Sequence, residues 1–531
     1  MPGKVWKILP QKSDDLITQL LINRGLQKTS DIEKFFNPSI EDFQNDLEIS
    51  GINTSLKRIE KAISLQELII IYGDYDVDGI CASAILYKAL SSLRAKVLPY
   101  IPHREKEGYG LSKIGLDYAR DCGASVIITV DNGIVAMEQA NYAKSLGLDL
   151  IITDHHLPLE KKPIAFSIVH STKMCGAAVA WCLIKDIVSK ELSKELLQFV
   201  AIATVCDMIP MLDLGRVLVK EGLKVLNKSK NIGLISLALE CGIDLANVSS
   251  YEIGHILGPR LNAIGRLEHA IDALRLICTK DQAKARFLAK LLCETNIKRQ
   301  QLTEIATEEA RVLISKNGTK KIHILDSKTW SPGIIGLIAS RVVEEYFRPA
   351  IAISVGEVHA KGSARSTQGI NIVELIRECS DLLIDVGGHK GAAGFSIKNE
   401  NIAEFKKRIE KLMDKTKEEV EQVLEIEAEV PLKNLSKSLA KRIEEFSPFG
   451  LLNPKPLLVT KEMKTSDVRT LSEGKHLKGK ADGIDFIAFG MGDLADSLKS
   501  GQLVDLAYYL EINKFNGSEN LQLKVKDIQF T

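Results

Sequence analysis

Between residues 68 and 153, short continuous apolar runs alternate with amphipathic stretches. Leu68-Ile-Ile-Ile-Tyr72, the run 96–101, Val126-Ile-Ile-Thr-Val130 and Leu150-Ile-Ile-Thr153 read as buried parallel strands. Helical patterns over 79–93, 113–121 and 136–146 supply the crossovers between them. Residues 174–280 are mostly helical by pattern. From about Lys280 to Lys316 breakers are scarce and Ala, Leu, Glu, Lys and Arg abound. That stretch predicts one long helix, stopped at Asn317-Gly318.

A second α/β block comes next, with a strand over 321–325, a helix over 334–347, strands near 350–355 and 359–363, and a glycine-rich segment, 387–394. A Lys/Glu-rich helix over 401–423 leads to alternating segments at 424–430, 457–460, 486–489, 503–512 and 521–528. Gly and Asn turns bound them, as in a small all-β barrel. At the other end, Leu16, Leu20 and Leu21 share one helix face, and Pro38 marks a break after it. The expected division is a helical segment 1–45, a catalytic domain 46–279, a connecting helix 280–316, a substrate domain 317–400, a linker helix 401–423 and a barrel 424–531. The fold class is α/β, with a parallel-sheet domain, a smaller α/β domain beyond a long helix, and a C-terminal β-barrel.

Composition narrows the class. The 531 residues carry 70 Lys+Arg against 69 Asp+Glu, with 45% hydrophobic and 26% charged, so disorder, collagen and coiled coil are excluded. No apolar run nears the ~20 residues of a membrane helix, and Met1 to Asp15 lacks the apolar core of a secretory signal. Nine cysteines without a C-x-x-C pair point to reduced thiols in a cytoplasm. The near-zero net charge does not decide on a nucleic-acid partner, because a basic stripe can hide inside a neutral total.

Three of the four predicted parallel strands each end in hard-metal ligands. Gly73-Asp74-Tyr75-Asp76-Val77-Asp78-Gly79 comes after the first, Asp131-Asn132-Gly133 after another, and Asp154-His155-His156 after the last. Ligands of open parallel sheets bind outside the carboxyl ends of the strands, so these residues would meet along one edge, with Asp207 closing the cluster. Crowded carboxylates stay ionised only if cations neutralise them. Carboxylates with imidazole suit Mn²⁺ or Mg²⁺, and the histidine favours Mn²⁺. The run Asp74-x-Asp76-x-Asp78-Gly79 also opens like a calcium loop, but the twelfth position is Ile85 and a strand precedes it, so that reading fails. A lone strand-end Asp is more often a helix N-cap, and His-His pairs are usually structural; the joint occurrence decides for a metal centre. Two ions can grip a phosphoryl oxygen, acidify a bridging water and stabilise the leaving oxygen. Phosphate-ester hydrolysis suits such a centre better than redox or acyl chemistry.

With Asp154-His155-His156, the upstream acidic motif and Val130-Asp-Asn-Gly133, the chain resembles the DHH phosphoesterase superfamily. Gly258-Pro-Arg-Leu-Asn-Ala-Ile-Gly-Arg266, Trp330-Ser-Pro-Gly-Ile-Ile-Gly336, Lys361-Gly-Ser-Ala-Arg-Ser366 and Gly387-Gly-His-Lys-Gly-Ala-Ala-Gly394 are similar to its bacterial RecJ branch, 5′→3′ exonucleases of single-stranded DNA. The resemblance is dense over about 66–396 and extends more weakly through the last block, which is similar to the family's oligonucleotide-binding barrel. It implies a DHH domain, a DHHA1-type domain and an OB-like barrel. It implies metal ligands Asp76, Asp78, Asp131, His155 and Asp207, with Asp131 bridging two ions, Asp74 in or behind the ligand set, and His156 facing the scissile phosphate. It assigns Arg104, Ser363 and Arg365 to a 5′-phosphate pocket, although composition alone makes the two arginines solvated charges. His389 becomes a donor to the scissile phosphate. Arg260 and Asn262 become substrate contacts, with helix capping as the alternative. Leu452 stands where the family usually has glycine, which bears on a loop.

In the final block Lys461, Lys464, Arg469, Lys475, Lys478 and Lys480 lie near Phe486, Phe489, Tyr508, Tyr509 and Phe515. Bases stack on such aromatics while a basic groove tracks the backbone, though half of these rings belong in a barrel core. The expected partner is single-stranded DNA, with a helicase and a single-strand-binding protein as candidate partners, no membrane, and a monomer in the cytoplasm. Two rivals remain: a DHH hydrolase of short oligonucleotides or nucleotide phosphates, and a non-catalytic single-strand-binding scaffold.

Overall fold

The structure is a computed structural model that describes residues 4–104, 106–318, 320–416, 422–498, 501–515 and 517–531. The chain opens with β1 (Val5–Ile8) before the helices Leu16–Asn23 and Thr29–Phe36. The first domain is a five-stranded parallel sheet of β2 (Leu68–Tyr72), β3 (Lys96–Tyr100), β4 (Ala124–Val130), β5 (Asp149–Asp154) and β6 (Ser167–His170). Its order is β3-β2-β4-β5-β6, and β6 is a strand that the sequence pattern did not announce. Ile69, Ile71, Val126, Ile128 and Ile151 are fully buried on one face; Ile70, Tyr72, Ile127 and Ile152 are buried on the other. Apolar side chains at every position are what a sheet covered on both faces requires. The helix Val77–Ser92, apolar almost all round, is buried between this sheet and the helices Gly176–Ile184 and Lys190–Cys206.

The connecting helix runs Gln282–Asn317, close to the span expected from its breaker-free sequence. Beyond it lies a second sheet of β7 (His323–Ser327), β8 (Ala350–Val355), β9 (His359–Arg365), β10 (Leu383–His389) and β11 (Ala392–Lys398), ordered β10-β11-β9-β8-β7. The glycine-rich segment is thus the turn and arms of an antiparallel hairpin. The linker helix covers Ile402–Asp414; of the helix expected over 401–423, residues 417–421 lie outside the described residues.

The last block contains β12 (Val423–Ile426), β13 (Ala428–Glu429), β14 (Leu458–Leu471), β15 (His476–Ala481), β16 (Ile484–Ala488), β17 (Leu503–Phe515) and β18 (Ser518–Phe530). Strands β14, β15, β16, β18 and β17 pair in that order, and β14 also pairs with β17, closing a barrel and so removing its edges. Phe486 and Tyr508 are core; Phe489 is half exposed. The fold class is as expected, but the helical preface also holds a strand: β1 pairs in parallel with β12, more than 400 residues away. Arg24, at the end of the first helix, is buried against Glu427 (2.7 and 3.0 Å) and Asn453 (2.7 Å). Leu452 adopts φ +61°, so the loop keeps a left-handed residue without glycine, at a cost on the order of 1 kcal/mol.

Arg216 joins three segments. It is 1% exposed; its guanidinium lies 3.8 Å from the Phe35 ring centroid and donates to the carbonyls of Phe35, Phe446 and Ser447 at 2.7–2.9 Å. Replacing it with methionine fills the volume but orphans those carbonyls. Arg216→Met should cost about 3 kcal/mol or more, read as a lower midpoint in urea denaturation monitored by circular dichroism.

Candidate metal centre and phosphate pocket

Strand register aligns the chemistry. Tyr72 pairs with Thr129, and Val130 with Thr153, so β2, β4 and β5 end level and their next residues leave the sheet side by side. The strand order reverses between β2 and β4, which makes this edge the switch point where ligands of such sheets collect. Asp76 starts the helix Val77–Ser92, its Oδ1 accepting from Gly79 N (3.0 Å). Asp78 accepts from the amides of Gly176 (2.6 Å) and Ala177 (2.7 Å), the first two residues of another helix, where the dipole favours a carboxylate. Gly176 is required there: a Cβ would lie 2.7 Å from Asp131 Cβ. Asp131 has φ +63°, a conformation that Asp tolerates better than most residues. Asp207 arrives by another route, as the C-cap of the helix Lys190–Cys206.

These side chains converge. His155 Nε2 lies 3.1 Å from Asp131 Oδ1, 3.5 Å from Asp207 Oδ2 and 3.6 Å from Asp78 Oδ2. Three donor sets fall within 4.8 Å: Asp78–His155–Asp207, Asp74–Asp76–Asp131 and Asp131–His155–His156. Asp74 Oδ1, Asp131 Oδ1 and His155 Nε2 are buried without a hydrogen-bond partner. Buried polar atoms without partners are uncommon, and carboxylates with imidazole are a donor set that a divalent ion satisfies.

The electrostatics agree. Burial, then the neighbouring carboxylates, pushes Asp74 and Asp131 well above the usual carboxylate range, Asp78 up to about 7 and Asp207 up to about 8. Burial lowers His155 to about 4. Asp154, which ends a strand in the acidic pattern but which the resemblance leaves out of the ligand set, behaves oppositely. Burial opposes its charge, yet the hydrogen bond and charge of His156 keep it below its ordinary value. Its Oδ1 accepts from the amides of His155 (2.7 Å) and His156 (3.2 Å) and lies 2.8 Å from His156 Nδ1, while Oδ2 accepts from Ile134 N (2.8 Å). Asp154 therefore fixes the loop through both histidine amides and aims the His156 imidazole. Tyr109 is a residue that no motif announces: its hydroxyl donates to Asp131 O (3.0 Å) and lies 3.2 Å from the His156 ring nitrogens.

Opposite this acidic cluster gathers a set of arginines. Arg104 stacks 4.9 Å over Tyr75. Arg266, the last residue of the Gly258–Arg266 motif, is held down to about 10 by burial and then by the charges of Arg104, Arg299 and Arg365. Burial and Arg104 likewise lower Arg365. Arg365 Nη1 donates to Ser363 Oγ (3.1 Å). Both side chains abut Gly336, where a Cβ would lie 3.0–3.1 Å from them; Gly336 is in the first turn of the helix Ile335–Tyr346. A fork of donors beside a helix N-terminus is a phosphate-binding arrangement. Ala392 pairs with both His389 and Arg365, which sets these two in one row across the second sheet; His389 is exposed at the hairpin tip. Asn262 Oδ1 accepts from Val77 N (3.1 Å), a capping contact at the start of the catalytic helix. Arg260 spends one nitrogen on its own helix, Nη1 to Ile256 O (2.8 Å), and leaves Nε without a partner.

A parallel α/β sheet with an Asp-His-His edge, a second α/β domain and a closed barrel define a DHH-type phosphoesterase. Family models for the DHH family N-terminal domain, the DHHA1 domain and the RecJ OB domain match residues 68–204, 312–415 and 426–527. The chain is 35% identical to the single-stranded-DNA-specific exonuclease RecJ of Bacillus subtilis, over 96% of this chain and 67% of that one. With the enzyme of the same description from Salmonella typhimurium it shares 30%, over 98% and 96%. The crystal structure of RecJ from Thermus thermophilus in complex with Mn²⁺ superposes with a TM-score of 0.84 at 28% identity, covering 99% of this chain and 79% of that one. The chain belongs to the RecJ family. Among the described residues no helix is long and apolar enough to cross a membrane.

Carboxylates raised in the metal-free protein contribute stability that is complete below the unfolded value near 4 and is lost as pH rises through about 7 and 8. The melting temperature of metal-depleted protein should therefore fall between pH 6 and 8.5. Mn²⁺ should raise it more at pH 8 than at pH 6, because protons compete for the same oxygens. Differential scanning fluorimetry checks this; an equal Mn²⁺ shift at both pH values would contradict it.

Proposed function

We propose that the protein is a single-stranded-DNA-specific 5′→3′ exonuclease that hydrolyses phosphodiester bonds with two divalent ions, Mn²⁺ or Mg²⁺, in DNA repair and recombination. The observation that carries the reading is the convergence of Asp74, Asp76, Asp78, Asp131, His155 and Asp207, facing an arginine set from both α/β domains. Asp76, Asp78, Asp131, His155 and Asp207 would hold the ions, with Asp74 beside them. When bound, such a pair activates water and stabilises the leaving oxygen. His156, aimed by Asp154, and His389 donate to oxygens of the scissile phosphate. Arg104, Ser363 and Arg365 clamp the 5′ phosphate, and Arg260 touches the nucleotides behind it, while Asn262 caps the helix that displays Asp76 and Asp78. The strand then threads between the two α/β domains towards the barrel. The closed barrel favours long strands over the short-substrate reading, since a dinucleotide has no use for it. The reading carries with it a monomer at work in the cytoplasm beside a helicase and a single-strand-binding protein.

Asp131→Ala should lower Mn²⁺-dependent digestion of an end-labelled single strand by at least about a hundredfold, while the affinity measured in EDTA changes little. Retained digestion would remove Asp131 from the ligand set. Arg365→Ala should weaken binding of a 5′-phosphorylated strand by about tenfold to a hundredfold and leave a 5′-hydroxyl strand nearly unaffected. Equal losses on both strands would place Arg365 outside the phosphate pocket.

A further inference from the structure

The helix Ile232–Glu240 ends at Cys241, whose amide donates to Leu237 O (3.0 Å), and it packs against the connecting helix Gln282–Asn317. At that contact Cys241 Sγ lies 3.9 Å from Cys293 Sγ, although 52 positions separate the two residues. A disulfide holds its sulfurs about 2.05 Å apart, so the pair has about 1.9 Å to close. Side-chain rotation at a helix end covers that distance. Cys293 is 7% exposed and Cys241 is half-buried, so a small oxidant reaches the pair more readily than a bulky one. The helix Gly258–Leu267 packs on the same connecting helix and brings Arg260 beside the Cys293 sulfur.

The two sulfurs differ in character. A hydrogen bond from Cys241 holds Cys293 down to about 7, against the effect of burial and with help from Arg260. The same bond pushes Cys241 up. Glu240 is the acidic group that faces both sulfurs, and its charge opposes a thiolate. A thiolate beside a neutral thiol is the arrangement of an attacking and a resolving cysteine. Elsewhere burial pushes Cys81, Cys175, Cys182, Cys206 and Cys278 up, as expected of inert core thiols. Arg260 donates from Nη1 to Ile256 O, while its Nε has no hydrogen-bond partner. Its charge is therefore only partly engaged and open to a neighbouring anion.

We propose that Cys241 and Cys293 form a peroxide-sensitive thiol pair, which closes to a disulfide between the helix Ile232–Glu240 and the connecting helix and thereby frees Arg260. The Cys293 thiolate attacks one oxygen of hydrogen peroxide; the O–O bond breaks, hydroxide leaves and Cys293 becomes a sulfenic acid. Cys241 then gives up its proton, and its sulfur attacks that of Cys293. The S–O bond breaks, and the departing hydroxide takes the proton as water. In sum two thiols lose two electrons to one peroxide, which is reduced to two waters. Before oxidation the thiolate competes with a backbone phosphate for Arg260. A disulfide carries no charge, so the guanidinium is left to the strand. The thiol pair stands without the nuclease reading; its consequence for strand binding rests on that reading.

The test uses the full chain with Cys122→Ser, which removes an exposed thiol, in EDTA. Hydrogen peroxide should yield a tryptic map in which the peptides of Cys241 and Cys293 are joined, and dithiothreitol should separate them. Adding Cys241→Ser should leave Cys293 as a sulfenic acid that dimedone traps, whereas adding Cys293→Ser should leave Cys241 unmodified. The cross-linked protein should bind 3′-fluorescein-labelled (dT)16 about three- to tenfold more tightly than the reduced protein. Arg260→Ala should erase that difference, with melting temperatures verifying that each variant is folded. Absence of the joined peptides, or trapping at Cys241 instead of Cys293, would overturn the pair. Equal binding by the two forms would overturn its hold on Arg260. Digestion of end-labelled DNA by the wild type with Mn²⁺ tests the nuclease reading separately, so either idea can fail alone.

Discussion

Carboxylates crowd the carboxyl edge of the parallel sheet more closely than they can tolerate without cations. Asp74, Asp76, Asp78 and Asp131 lie together in a region largely closed to water, where burial and mutual repulsion both oppose ionisation. The protein supplies little relief of its own. Two helix amides serve Asp78, one serves Asp76, and Asp131 Oδ1 and His155 Nε2 have no hydrogen-bond partner. A cluster so arranged is costly to the fold unless divalent ions occupy it, and much of the surrounding architecture serves to hold it. Gly176 lets a helix N-terminus approach Asp131; Asp154 fixes the two histidines; Asn262 caps the helix that displays Asp76 and Asp78.

Arginines from both α/β domains bring the opposite charge to this centre. Arg104 comes from the first domain and Arg365 from the second, and their proximity to Arg266 depends on the connecting helix Gln282–Asn317 setting the two blocks against each other. The rest of the chain stiffens that frame. Strand β1 pairs with β12, Arg24 ties the first helix to Glu427, and Arg216 joins Phe35 to the Phe446–Ser447 turn. The two ends of the chain thus close around the helical domain, and the barrel takes a fixed place beside it. A substrate held at both the metal centre and the barrel needs that rigidity, since freedom between the two would be lost again on binding.

How much is readable from the chain alone depends on the range of the interaction. The strands Leu68–Tyr72 and Ala124–Val130 are legible because burial on both faces demands apolar side chains at every position, a purely local mark. Asp131 is legible because it comes directly after such a strand. Asp207 is harder: it caps a helix and reaches the cluster only because that helix packs on Val77–Ser92. Arg266 and Gly336 stand within recognisable motifs that do not disclose their roles. Their meaning lies in their neighbours, Arg104 and Arg365 for one, Ser363 and Arg365 for the other. For Asn262 the sequence leaves substrate contact and cap both open, and only its 3.1 Å bond with Val77 N reveals the cap.

By itself the sequence determined the alternation of strands and helices, the long breaker-free helix, the glycine turns and the placing of acidic and imidazole groups at strand ends. Each of these is written in the spacing of neighbouring residues. Tertiary structure alone decided the pairing of β1 with β12, the closure of the barrel through β14 and β17, the gathering of the arginines and which barrel aromatics face solvent. Those depend on contacts between residues far apart in the chain, some by hundreds of positions, and a linear pattern carries no record of which distant surfaces will be pressed together.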